Sequence, residues 1–280
     1  MNRVGMKIMF IVGIAAVLCL ISSTLNLGKY FGTSYAASGC SPPKNALLPD
    51  LQVAVPQQLQ IKKQDDRYFL RLTNGIANTG NGVWQMVPIN PPTPDQKQRT
   101  EQQFLDASGN IVFKCITDST SEYHPAHKHF HISDVAEFTV RLGDPTNKDI
   151  IGTSGKVTSC LIDWVRLEGN SPDRDRIYSS CDSGVQGISP TWVDQYHMAL
   201  EGQSVEITRA IDISKTQPEK TYYLVSEANP KNSFTEADRG NNIAWVTFKL
   251  QSDNTGNPKI EITGHIPCKG GLCGEDFPNR

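Results

Sequence analysis

His127-Lys128-His129-Phe130-His131 is the stretch that decides how this chain is read. Its three histidines alternate with other residues, which is the side-chain period of a β-strand, so a strand here carries all three imidazoles on one face. Half of the six histidines in the chain fall within these five residues. Phe130 and Ile132 take the opposite parity and, after a break at Asp134-Val135, so do Phe138, Val140 and Leu142. The pattern predicts one strand with an apolar face on a core and a polar face presenting imidazoles, bent by a bulge near Asp134. Neutral imidazole is a ligand for zinc, copper, iron and nickel. On a flat strand the outer two Cβ atoms lie roughly 13 Å apart, so one ion meets all three rings only if the strand curves or the rings lean inward. His124 is offset by an odd number and is expected to point the other way. The plain alternative is a polar strand face that happens to be rich in histidine.

The chain has 280 residues, room for one large β-domain or two small ones, and a formal net charge of −2 that suggests no nucleic-acid partner. Its first segment reads as a targeting signal: Arg3 and Lys7 precede an apolar run over 8–20, and small residues follow at Ser34, Ala36, Ala37 and Ser38. Residues 1–37 are therefore expected to be an export signal, or an uncleaved membrane anchor, since the run is long enough for either. Cys19 lies inside this segment. The other six cysteines are an even number in an exported chain, which suggests disulfides, although six allow 15 pairings. Spacing favours Cys160–Cys181 and Cys268–Cys273, with Cys40–Cys115 left over.

Beyond the signal, strands are expected at 51–55, 67–72 and 83–87, in a hairpin over 101–104 and 111–115, then in the histidine strand, and again at 204–211, 221–226 and 243–250. Turn signals at Asn74-Gly75, Asn78-Thr79-Gly80 and Asn81-Gly82 separate the early strands. Residues 146–195 are mostly irregular, and a loop-rich stretch of that length in a compact domain is usually functional. There is no long amphipathic helix. The fold class is all-β: an antiparallel β-sandwich with long loop insertions.

Four stretches together resemble the lysyl oxidase family, in the family's order. EYHPAHKHFHIS (122–133) is similar to the copper-binding run, and its alternating histidines match His127, His129 and His131. GKVTSCLID (155–163) is similar to the segment bearing the cofactor lysine, here Lys156. QGISPTWVDQY (186–196) is similar to the segment bearing the cofactor tyrosine, here Tyr196. FTEADRGNN (234–242) is close to a late acidic turn of the family. The resemblance covers roughly residues 46–266 as one catalytic domain, with 267–280 as a tail.

The resemblance implies a copper-dependent oxidase of primary amines or peptidyl-lysine, releasing aldehyde, ammonia and hydrogen peroxide with molecular oxygen as the partner substrate. Its cofactor is lysine tyrosylquinone, built from Lys156 and Tyr196. Structural calcium is implied at the late turn, held by Glu236, Asp238, Asn241 and Asn242 with Asp50 and Leu51 from the first strand. Closely spaced oxygen donors suit that ion, and a polar hairpin turn is the alternative. A carboxylate is expected as the catalytic base, with Asp163, Asp194 and Glu137 as candidates. Ala126 and Thr191-Trp192 replace residues that include cysteines in the animal members, so the disulfide framework must differ and the arrangement looks like a compact prokaryotic member. The competing readings are an exported copper-binding β-sandwich without catalysis and a zinc hydrolase built on the three histidines.

Overall fold

The computed structural model describes residues 40–89, 97–155, 158–167, 176–182 and 184–273. Residues 1–37, expected to be a signal or anchor, and Lys156 lie outside the described residues. Among the described residues no helix is long and apolar enough to cross a membrane.

The first strands are β1 (Leu51–Val53), β2 (Gln57–Gln64), β3 (Arg67–Asn78), β4 (Trp84–Pro88), β5 (Gln98–Leu105) and β6 (Ile111–His124). They are followed by β7 (His129–Ser133), β8 (Ala136–Leu142), β9 (Ile150–Thr153), β10 (Thr158–Ser159), β11 (Val165–Arg166) and β12 (Gln186–Ile188). The chain continues through β13 (Trp192–Tyr196), β14 (Ser204–Glu206), helix α1 (Thr208–Thr216), β15 (Tyr222–Ala228), β16 (Ile243–Ser252) and β17 (Pro258–His265).

Three antiparallel sheets result. The first runs β1-β3-β13-β11, with β2 and β14 also pairing the long β3. The second runs β10-β7-β6-β5-β4-β12 and the third β17-β16-β15-β8-β9. Period-two burial explains how they stack. Along β16, Ala244, Val246, Phe248 and Leu250 are buried while their neighbours are not. Leu70, Leu72 and Ile76 from the first sheet, Trp84 and Met86 from the second, and Phe138, Val140, Leu224 and Phe248 from the third share one core. Trp84 and Phe234 meet edge to face at 5.0 Å, a favoured aromatic geometry. The chain is thus all-β and sandwich-like.

Two of the sequence-based expectations need correction. The bend expected near Asp134 is a change of sheet: β7 belongs to the second sheet and β8 to the third. Asp134 makes the corner at φ +61°, a left-handed conformation Asp tolerates better than most residues, and Lys231 Nζ lies 2.8 Å from its Oδ1. The strand expected over 204–211 ends at Glu206, and Thr208 opens the helix, burying Ala210 and Ile211. Apolar residues spaced for a short strand fit one helical turn equally well, so the periodicity there was ambiguous.

The cysteine pairs are the two favoured by spacing, Cys160–Cys181 and Cys268–Cys273, and the remaining pair Cys40–Cys115. Residues 267–273 stay against the sandwich, where the Val55 N–H donates to Leu272 O at 2.9 Å.

Candidate metal and cofactor site

The histidine stretch is not one strand. β6 and β7 form a hairpin in which His124 stands opposite His129 and Glu122 opposite His131. The turn lies over 125–128, where the His127 and Lys128 N–H groups both donate to His124 O, at 3.0 and 2.8 Å. Lys128 takes φ +61° to close it. His129 and His131 therefore sit on the strand as expected, while His127 sits in the turn. That difference removes the spacing problem, because the turn folds His127 back over the strand. His127 Nδ1 lies 3.3 Å from His131 Nε2, and His129 Nε2 lies 3.1 Å from the same atom.

These contacts are not a satisfied hydrogen-bond set. A ring nitrogen carries at most one hydrogen, so His131 Nε2 can make a bond to only one of its two neighbours. Burial, then the neighbouring His129, His124 and His127, lower the His131 pKa to about 4. Burial and then His127 lower that of His129. Rings held neutral with converging lone pairs are what a divalent transition metal takes. Thr158 Oγ1 lies 3.4 Å from His131 Nδ1 and can accept its N–H, leaving Nε2 as the free lone pair.

His124 joins the cluster rather than pointing away. Its ring stacks on His127 at 4.2 Å and on His131 at 4.9 Å. Cross-strand partners in a hairpin share a face, so the odd offset ceased to matter once the chain reversed at Pro125. That proline was the available signal.

A cavity of about 440 Å³ opens over the cluster, lined by all four of these histidines and by Tyr196. Tyr196 ends β13, opposite Asn74, and its hydroxyl donates to Cys160 O at 2.5 Å. Thr158 and the Cys160–Cys181 pair also line it, as does the 200–203 turn. Two motifs far apart in sequence, the metal run and the tyrosine segment, thus share one cavity. Gln186, 1% exposed, ties them: its Nε2 donates to Phe130 O at 2.7 Å and its Oε1 accepts the Leu161 N–H at 3.3 Å.

None of the three carboxylates expected as base lines this cavity. Asp163 is fully buried and accepts the N–H groups of Ile177, Tyr178 and Ser189 and the Ser189 hydroxyl, at 2.6 to 3.1 Å. Four donors make it a structural pin. Glu137 stands opposite Glu227 in the third sheet, and buried Asp194 pairs across from Ile76 in the first. Among the described residues, Glu201 is the carboxylate that lines the cavity.

The second expected ion site closes on itself. The Leu51 N–H donates to Glu236 Oε2 at 3.1 Å, while Asn229 and Asn242 donate to Glu236 Oε1 at 2.6 and 2.8 Å. Asn241 Nδ2 meets both oxygens of Asp50, at 3.1 and 3.2 Å. Burial raises the Glu236 carboxyl to about 7, opposed by these hydrogen bonds. Asp238 is exposed, and its Oδ1 accepts the Gly240 N–H at 2.7 Å. Five of the six residues meet, and Asp238 flanks them. Gly80 lets the segment carrying Asp50 come close, since a Cβ there would stand 2.5 Å from Asp50 N.

The family model Lysyl oxidase matches residues 95–257, more than half of the chain. That span includes the histidine hairpin, Lys156, Tyr196 and the 236–242 turn, and leaves Asp50 and Leu51 outside. A comparison with curated proteins returns no match.

Proposed function

The chain belongs to the lysyl oxidase family, and from that premise we propose that it is an exported, copper-dependent oxidase of primary amines or peptidyl-lysine. One observation carries the reading: three converging imidazoles and Tyr196 line the same cavity. His127, His129 and His131 would hold copper, and Tyr196 with Lys156 would supply lysine tyrosylquinone. Together those groups provide the two-electron oxidation of the amine and the return of electrons to oxygen as peroxide.

The chain's own residues have separate tasks. Thr158 fixes the His131 tautomer. The Cys160 carbonyl orients the Tyr196 hydroxyl, and Gln186 keeps the hairpin and the Cys160 segment in register. Glu201 attracts a cationic amine to the mouth of the cavity. The three disulfides support export, because such bonds persist in oxidising compartments.

We extend the proposal to calcium at the Asp50–Glu236 cluster. Asn241 Oδ1 and Asn242 Oδ1 are buried there without a hydrogen-bond partner, and amide oxygen is a calcium ligand. Binding requires the Asn241 amide to turn from its present contact with Asp50.

The test is peroxide release by the copper-loaded full chain with a panel of primary amines. Tyr196→Phe is expected to reduce it to background while copper stoichiometry holds. Full activity in that variant overturns the cofactor assignment. Absence of peroxide in the parent, with copper bound, leaves a copper-binding sandwich without catalysis.

A further inference from the structure

The Cys160–Cys181 bond lies in the wall of the same cavity. A ring nitrogen of His129 and the two sulfurs lie within 4.8 Å of one another. As a disulfide the pair is a poor ligand. As two thiolates beside an imidazole it is a Cys2His set, which suits soft ions such as Cu(I). The geometry points to a second metal site in this cavity, formed when Cys160–Cys181 is reduced, in which Cys160 Sγ, Cys181 Sγ and His129 hold Cu(I).

The step balances. A dithiol gives two electrons to the S–S bond and becomes a disulfide, and its two protons end on the Cys160 and Cys181 sulfurs. Cu(I) then displaces both protons. In reverse, a disulfide oxidant removes two electrons, the S–S bond re-forms, and the ion is left with imidazole nitrogens alone. The two sites share His129, so they are alternatives. Copper enters on sulfur while the chain is reduced and ends on nitrogen once the bond closes.

Opening the bond does not release the thiols from the cavity. Cys160 is anchored through its own carbonyl by the Tyr196 hydroxyl, and Leu161 beside it by Gln186. Three residues before Cys181, Tyr178 donates its N–H to Asp163 and its hydroxyl to Gln85 Oε1 at 2.7 Å. Its carbonyl accepts the Asp163 N–H at 2.8 Å. Among the described residues neither of the other two disulfides belongs to such a cluster.

The inference uses His129 as a metal ligand, as the proposed function does, and does not depend on catalysis. The full chain is reduced anaerobically with a water-soluble phosphine, desalted, and titrated with Cu(I) presented on bicinchoninate. X-ray absorption reads the ligand atoms, and iodoacetamide labelling with mass spectrometry reads each cysteine. One Cu(I) per chain is expected, with two sulfurs in its shell and labelling of Cys160 and Cys181 slowed at least tenfold relative to the metal-free reduced chain. Labelling of the remaining cysteines changes less than twofold. The Cys160→Ser/Cys181→Ser double variant is expected to lose the sulfur scattering. The labelling pattern of the parent chain decides the question even if that variant fails to fold. A sulfur-free shell, no Cu(I) uptake, or protection of another pair overturns the site. Peroxide release by the oxidised chain is read separately, so failure of either proposal leaves the other measurable.

Discussion

The histidine hairpin and the Asp50–Glu236 clasp look alike in sequence, as two dense sets of potential ligands, and differ in what their lone pairs face. In the hairpin, nitrogen faces nitrogen at 3.1 and 3.3 Å, and both contacts fall on His131 Nε2, which can pair with only one of them. In the clasp, Glu236 faces the N–H groups of Leu51, Asn229 and Asn242. Proximity of ligand-type residues is common to both regions. An unmet demand for positive charge belongs mainly to the first. Burial reinforces the difference: it favours the neutral form of His129 and His131, and it pushes the Glu236 carboxyl up toward its neutral form.

The sharpest test is His131→Ala. His131 Nε2 is the atom on which both other rings converge, so copper affinity should fall at least a hundredfold by competition titration. A loss under tenfold would mean that the hairpin holds its ion some other way. In the clasp, Glu236→Ala leaves three donors without their acceptor. Such a loss costs about 3 kcal/mol, read as a lower urea midpoint at unchanged slope. A change below about 0.5 kcal/mol would mean that the clasp contributes as little as an exposed turn.

Thr158→Val removes the hydroxyl beside His131 Nδ1. Loss of such an outer partner costs about tenfold in metal affinity, so copper binding should weaken by that order while the hairpin's circular dichroism holds. The smallest effect concerns calcium. Because the clasp is already closed by N–H groups, chelation of calcium should lower the melting temperature by only a few degrees. A loss of tens of degrees would make the clasp an ion site as demanding as the hairpin and erase the distinction between the two.

Much of the fold was legible because it depends on local alternation. Ala244, Val246, Phe248 and Leu250 mark β16 by period two alone, and the hairpin around Phe104 and Phe113 follows from the same signal. β2 and β17 were not read, and neither were the short strands β9 to β13 within the stretch expected to be mostly irregular. Gln57–Gln64 and Pro258–His265 are largely polar and lie toward the edges of their sheets, where few positions need to be apolar. The site was legible as a set of residues and illegible as an arrangement. His124, Thr158, Gln186 and Glu201 enter it through pairings and turns that join segments up to about 80 positions apart, and no local period encodes such contacts.

The sequence by itself determined the chemistry on offer: imidazoles in one short run, six cysteines beyond residue 37, a tyrosine and a lysine in recognisable surroundings, and strands set by alternating polarity. Only the tertiary structure decided which of those groups face one another. The turn at Pro125 turned an alternating row into a three-nitrogen cluster, and the bond from the Tyr196 hydroxyl to Cys160 O, next to the β10 strand that pairs with β7, put Tyr196 in the same cavity. Side-chain type is a property of each position. Whether a lone pair meets a hydrogen, a second lone pair or an open cavity depends on chain reversals and sheet contacts, whose free energy is shared among residues distant in sequence.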